Sequence, residues 1–361
     1  MSKIYKKFYP VCFLSNDTLL LFKKDTFYVL DITSSKYRKL GRIRLSLIEN
    51  LIYLIPFLPR ILRYGIRCAL KINDKIVVFV IKNTIYELNY QDGFLSKGYS
   101  TPDCCRPLAF SQINGITGFE DGIYFGGYIG NPLKKPIAIY KRISTDNWIK
   151  IFQFPNGAIE HVHNIVADKY NDTVFIFTGD FDHSAGIWIA KDNFASVEPL
   201  FNGEQKYRGC VAFPTSKGLI YATDSPFTEN SIRLLNKDDF GQWTIKQIKS
   251  INGPCIYGCE WNDDFVFSTS VEGDGRNQNF FYKMLGRNRG KGIKSDYSVI
   301  YKGNLEKGFE VIYSIKKDIL PFYLFQFGVL IFPSGMNESE YLPVFHIATL
   351  KHDMSTLILT R

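Results

Sequence analysis

Three short segments recur along this chain at one fixed interval. They read Ser144-Thr-Asp146-Asn-Trp148, Ala190-Lys-Asp192-Asn-Phe194 and Asn236-Lys-Asp238-Asp-Phe240-Gly-Gln-Trp243. Asp146 and Asp192 lie 46 residues apart, and so do Asp192 and Asp238. A period of that length on strand-rich sequence marks a unit that stacks on copies of itself, one blade of a β-propeller.

The strand pattern inside the period supports four strands per unit. Short apolar runs at 122–127, 174–180, 219–224 and 265–270 each follow a turn-prone pair: Glu120-Asp121, Asn171-Asp172, Lys217-Gly218 and Asp263-Asp264. Strands are expected upstream at 115–119, 161–167, 208–213 and 255–261. Third strands are expected at 137–141, 186–190 and 231–235, and fourth strands at 148–152 and 243–248. Weaker copies occupy 9–37, 67–90 and 309–359, the last built on 324–332 and 344–350. The expectation is a single all-β domain over 1–361, a seven-bladed propeller whose most regular part is 105–303; six blades is the alternative count. A doubly wound α/β fold would need helical periodicity between strands, and almost none occurs outside 45–66.

Composition agrees: 16% of residues are aromatic, with 30 Phe and 22 Tyr, which suit pleated, half-buried surfaces. Seven cysteines without a CxxC pair argue against structural zinc and suit reduced thiols in a cytoplasmic protein. The first residues lack an apolar run long enough for a signal peptide. The formal charge of +9 invites an acidic partner. The dense basic runs are short and no RNA- or DNA-binding motif surrounds them, so nucleic acid is not expected. The segment 45–66 is very apolar but interrupted by Glu49, Pro56, Pro59 and Arg60. It reads as two short helices or a hairpin-like insertion packed on the propeller. The sharper alternative is a peripheral membrane contact with Arg60, Arg63 and Arg67 at the lipid surface.

The recurring segments resemble the Asp-box, S-x-D-x-G-x-x-W, of sialidase-like (BNR-repeat) propellers, in which the Asp and the aromatic lock the turn between third and fourth strands. The copies are degenerate: Gly241 is one place late, and Phe194 and Val197 stand where Gly and Trp are expected. The Arg-Ile-Pro motif of true sialidases is absent, and Tyr207-Arg208 is the only dipeptide suggestive of their catalytic set. The central run, from HVHNI through GEQKYR to YATDSPFTENS, also resembles uncharacterised propellers associated with bacterial surface-polysaccharide gene clusters. The expectation is a carbohydrate-active enzyme, a glycoside hydrolase or polysaccharide lyase acting on a bacterial surface polysaccharide or its precursor. The alternative is a glycan-binding or scaffolding propeller in a membrane-associated biosynthetic complex.

Propeller geometry directs the search for a site. The start of each first strand and the turn between second and third strands share a face; the Asp-box turns lie opposite, so Asp146, Asp192 and Asp238 read as scaffold. On the first face lie Glu160-His161-Val-His163, Thr178-Gly-Asp180-Phe-Asp182-His183, Gln205-Lys-Tyr207-Arg208, Asp224, Asn230, Tyr257, Glu260 and Glu272. His161 and His163 alternate on a strand and so point the same way.

Three readings compete there. His161, His163 and His183, with Gln205 or Asp180, are residue types suited to a divalent metal. That set is similar to the His/Gln metal set of the propeller oligogalacturonate lyases. Alternatively, a His and a carboxylate (Asp180, Asp224 or Glu272) act as general acid and base on a glycosidic bond. Arg208 would then hold an acidic sugar, with Gln205, Tyr207, Tyr257, Asn230 and Glu260 as further binding candidates. The third reading is a self-satisfied polar network. Trp188, Tyr207, Tyr257 and Trp261 could stack on sugars or simply pack between blades.

Overall fold

The computed structural model describes residues 3–102, 105–274 and 279–361, and these form a seven-bladed β-propeller. Each blade is a four-stranded antiparallel meander. The first is β2 to β5 (Tyr9–Ser15, Thr18–Lys23, Thr26–Asp31, Tyr37–Arg42) and the second β6 to β9 (Ile66–Lys71, Ile76–Ile81, Thr84–Asn89, Tyr99–Ser100). The third is β10 to β13 (Ser111–Ile113, Gly122–Gly126, Ile137–Ser144, Asn147–Phe154) and the fourth β14 to β17 (His161–Asp168, Thr173–Gly179, Gly186–Lys191, Ser196–Asn202). The fifth is β18 to β21 (Gly209–Thr215, Gly218–Thr223, Asn230–Lys237, Trp243–Ile251) and the sixth β22 to β25 (Cys255–Trp261, Asp264–Thr269, Tyr297–Asn304, Gly308–Lys316). The seventh combines β26 to β28 (Val329–Ile331, Tyr341–Ile347, Ser355–Thr360) with β1 (Lys3–Lys6) from the other end of the chain.

Two expected boundaries shift. The first strand of the third blade lies at Ser111–Ile113, not 115–119. Residues 308–316 form the outer strand of the sixth blade, not the start of the seventh. The seventh blade is completed instead by β1, whose Lys3 to Lys6 pair with Ile358 to Ser355 and close the ring. Closure protects an edge that would otherwise offer unpaired backbone groups.

Each blade buries both faces of its second strand against its neighbours. Those strands are accordingly continuous apolar runs, such as Val77 to Val80 and Phe175 to Phe177, all at most 1% exposed. The outer strands alternate: β21 exposes every second residue or so along WTIKQIKSI. The three recurring segments fall at the β12–β13, β16–β17 and β20–β21 turns, away from the strand starts that carry the candidate residues. Their aromatics Trp148 and Phe194 are buried, and Asp238 Oδ1 accepts from the backbone N–H groups of Phe240 and Gln242.

The insertion forms two short helices, α1 (Leu47–Leu54) and α2 (Leu58–Ile61). Ser46 and Glu49 make a reciprocal capping box that starts α1. Arg60 departs from the sequence reading. It is 2% exposed, paired with Asp318 at 2.7 Å and Asp353 at 2.9 Å, and its Nε donates to Phe325 O. A charge in an apolar run has been buried because two carboxylates and a carbonyl of the seventh-blade region receive it. Arg67 also turns inward, over the Tyr128 ring and onto Pro107 O, so only Arg63 of the three arginines is exposed.

Candidate functional site

The site is built where first strands begin at the channel mouth. Near these starts the ladder slips by one residue. His161 pairs with Gly179 and Val162 with Thr178, but Asn164 pairs with Phe177, so His163 is the extra residue of a bulge. Cys210 is the equivalent extra residue between Gly209 and Val211 in the next blade. Bulges re-aim side chains, and both of these point into one cluster. Gly179 makes room: a Cβ there would lie 2.2 Å from the His163 ring.

His161 Nε2 and His163 Nε2 face each other at 3.1 Å, and Asp180 Oδ1 lies 3.3 Å and 3.1 Å from them. Each Nδ1 meets a backbone carbonyl at 3.1 Å, Ile129 O for His161 and Gly209 O for His163. A carbonyl only accepts, so each Nδ1 carries its proton and, in a neutral ring, each Nε2 presents a lone pair. Burial pushes the His163 imidazole down from its ordinary value. Burial alone would raise the Asp180 carboxyl, but the charge of Arg208 outweighs it and holds it well below the usual carboxylate range.

Arg208 bridges the next carboxylate. Its Nη2 lies 3.0 Å from Asp180 Oδ1 and 3.2 Å from Asp224 Oδ2, which also accepts from Nε and from the Cys210 thiol. Asp224 Oδ1 is buried without a partner. Glu272, from the following blade, accepts from Ser270 Oγ; burial and the negative charge of Asp224 push its carboxyl up to about 8. Asp180 and Asp224 each directly follow the second strand of their blade, and Glu272 lies three residues past that of the next.

A cavity of about 1550 Å³ opens over this cluster. Asp180, Arg208, Asp224, Tyr257 and Glu272 line it, together with the insertion from Tyr53 to Arg63. The two imidazoles do not line it. They sit beneath its floor, 4% and 3% exposed, with the Tyr128 ring centred 4.2 Å from His161. That position suits ligands or orienting groups better than acid–base partners of a substrate.

Four expected site residues stand apart. His183 is exposed and bonded to Gly157 O, because a short 3-10 turn at Asp182–Ser184 carries it outward from the pair. Tyr207 packs against Phe201 inside the blade core. Asn230 is fully buried, with its amide spent bracing the 223–230 turn and Gly292 O. Glu260 lies at the far end of β22, next to Asn337. Gln205 is close but committed: Nε2 donates to Asp180 O and Oε1 accepts from Ser225. Trp188 and Trp261 are core residues, donating to Thr178 Oγ1 and Ser339 O.

Sequence reasoning missed Arg67, Tyr128 and Cys210, and the Phe181–Phe227 ring pair on the cavity wall, centroids 5.5 Å apart. Blade equivalence could have found them. Arg67 and Cys210 sit at first-strand starts like His161, and Tyr128, Phe181 and Phe227 follow second strands like Asp180.

The residues fit a divalent metal. Bonds of about 2.0–2.2 Å give ligand–ligand edges of about 2.8–3.6 Å, which brackets the His161–His163–Asp180 triangle. The Nδ1-to-carbonyl bonds are the usual means of fixing a ligating tautomer. A second grouping, His163, Cys210 and Asp224, fits less well. Burial and Asp224 push the Cys210 thiol well above its ordinary value, which disfavours a thiolate ligand.

No family model matches the chain, and no curated protein is significantly similar to it. Solved propellers are similar in fold. An oligogalacturonate lyase in complex with manganese gives a TM-score of 0.56 at 12% identity, covering 99% of this chain and 90% of that one. The Cps50 (Swd1) β-propeller domain of Myceliophteria thermophila gives 0.54 at 9%, covering all of both chains. A chain of the mitotic checkpoint complex gives 0.53 at 9%, covering 96% and 87%. These likenesses establish the propeller architecture alone.

Proposed function

We propose that this propeller is a carbohydrate-active enzyme that cleaves an acidic polysaccharide or oligosaccharide at its channel mouth, by β-elimination. The observation that carries the reading is that Asp224, Glu272 and Arg208 line one cavity, where burial and the neighbouring Asp224 push the Glu272 carboxyl up to about 8. Environments that split two carboxyls in this way assign an acid and a base. Asp224, which lines the cavity, takes the proton next to the sugar carboxylate. As the glycosidic C–O bond breaks, Glu272 gives its proton to the leaving oxygen. Arg208 holds Asp224 in place, and Phe181 and Phe227 offer faces for sugar rings. His161, His163 and Asp180 would hold a divalent metal, which when bound supplies positive charge beside the substrate carboxylate.

The metal part rests on donor geometry, and the manganese-bound lyase adds only a precedent on a similar fold. The Asp-box-like turns favour kinship with sialidase-like propellers, for which hydrolysis is the corresponding outcome. The test incubates the purified protein with uronate-containing polysaccharides and reads ultraviolet absorbance and product mass. Unsaturated ends, lost in Glu272→Gln and Asp224→Asn, support elimination. Saturated reducing ends would assign hydrolysis instead. No cleavage, with no divalent metal in the purified protein, would reject the reading.

A further inference from the structure

Basic residues are not spread evenly over this molecule. Residues 1–67 hold 13 of the 44 Lys and Arg but only 4 of the 35 Asp and Glu, so the whole excess of nine positive charges falls there. The remaining 294 residues balance, 31 against 31. In the fold, residues 1–67 are the ring-closing strand, the first blade and the apolar insertion.

The insertion is unusual in what it leaves uncovered. Helix α1 buries no residue. Leu47, Ile48, Leu51, Leu54 and Ile55 are 84%, 72%, 59%, 72% and 53% exposed and follow the spacing of one helical stripe. Phe57 and Leu62 extend the patch at 53% and 49%. It is nevertheless held firmly. Glu49 accepts from Ser46 N, Tyr64 and Lys82, and Arg60 is clamped by Asp318 and Asp353. Exposed Lys6, Lys7, Lys24 and Lys82 border the same cavity wall as Leu54, Ile55 and Phe57. No helix among the described residues is long and apolar enough to cross a membrane.

We propose that this face docks on an anionic lipid bilayer, α1 and the 55–62 turn entering the headgroup layer and the surrounding cations meeting lipid phosphates. A firmly held apolar wedge bordered by exposed cations, of which Lys6, Lys7 and Lys24 make no ion pair among the described residues, matches a diffuse negative surface. A protein partner would more often be met by fixed, paired polar contacts. Docking sets the cavity mouth, which the insertion lines, beside the membrane. The proposal stands whether or not the cavity is catalytic.

The test is co-sedimentation of the full chain with vesicles of phosphatidylcholine alone or mixed with phosphatidylglycerol. Wild type should bind the mixed vesicles and release them at high salt. Leu51→Gln/Leu54→Gln keeps charge and helix propensity and should weaken binding at least about thirtyfold. Lys6→Gln/Lys7→Gln/Lys24→Gln should weaken it about a hundredfold. Circular dichroism checks that both variants are folded. Three results would overturn the proposal: wild type that ignores both vesicle types, Leu51→Gln/Leu54→Gln binding like wild type, or a lipid-free dimer that this variant dissociates. The last would mean that a second copy covers the face.

Discussion

His161 and His163 aim their Nε2 atoms at each other across 3.1 Å while each Nδ1 donates to a backbone carbonyl. Two neutral rings held this way repel, and the carboxylate oxygen of Asp180 at 3.1 to 3.3 Å adds a third lone pair. A cation between them removes the conflict. A ligand that binds only the folded state stabilises it, by about 2.7 kcal/mol at a hundred times its Kd. For a chain of this size that is about 3–4 °C in Tm. Chelation should therefore lower the Tm by this amount and added manganese or zinc should restore it. His161→Ala/His163→Ala should respond to neither, and a wild-type Tm indifferent to chelator would count against the site.

Arg208 is the hinge of the charge network, buried between Asp180 and Asp224. Removing it strands two carboxylates in a dry setting. Arg208→Met should cost about 3–5 kcal/mol in urea unfolding. Arg208→Lys should recover only part, because an ammonium lacks the planar fork that reaches both acids. Asp224→Asn in the Arg208→Met background should also recover part; additivity of the two losses would mean the residues are uncoupled.

The blades were legible because each repeats the same strand pattern, and the His pair because residues two apart on a strand share a side. What escaped was non-local or local in the wrong way. The seventh blade borrows β1 from more than 340 residues away, which no sequence window contains. The sequence alone assigns 309–316 to that blade because an outer strand, with its alternating exposure, looks like a fresh start. His183 was expected beside its two neighbours, but a single 3-10 turn swings it to solvent. Tyr207 and Asn230 are polar residues whose partners are neighbouring turns and, for Asn230, a loop of the next blade, so their polarity serves folding.

Arg60 offers a test of how the insertion is held. Its guanidinium reaches Asp318 and Asp353, and Gln326 donates to its carbonyl. Arg60→Met should leave Asp353 without its ion pair and Asp318 with Lys317 alone, and free the insertion from the seventh blade. Limited proteolysis should then cut within 45–66 while the propeller persists, with a stability loss of about 3–5 kcal/mol if the unit unfolds as one. Unchanged cleavage would show that packing alone fixes the segment.

Glu272 should leave a signature in the pH dependence of stability. Burial first, then the charge of Asp224, raise its carboxyl from 4.5 to about 8 in the folded chain. Above the unfolded value the unfolded chain has released its proton while the folded chain keeps it. Folding then takes up a proton, so this group's contribution falls as pH rises and is fully lost once pH passes the folded value. Glu272→Gln never ionises, and its Oε1 can still accept from Ser270. The variant should match wild type near pH 4 and gain on it by roughly 1 kcal/mol per pH unit from about pH 5 to about pH 8. Urea unfolding of both proteins across that range measures the difference. Parallel curves would mean that Glu272 titrates as an ordinary carboxyl and is not held as an acid. The same protonated group predicts activity that declines above about pH 8 and a kcat lowered about 10²- to 10⁴-fold in Glu272→Gln, since the amide keeps the shape but has no proton to give.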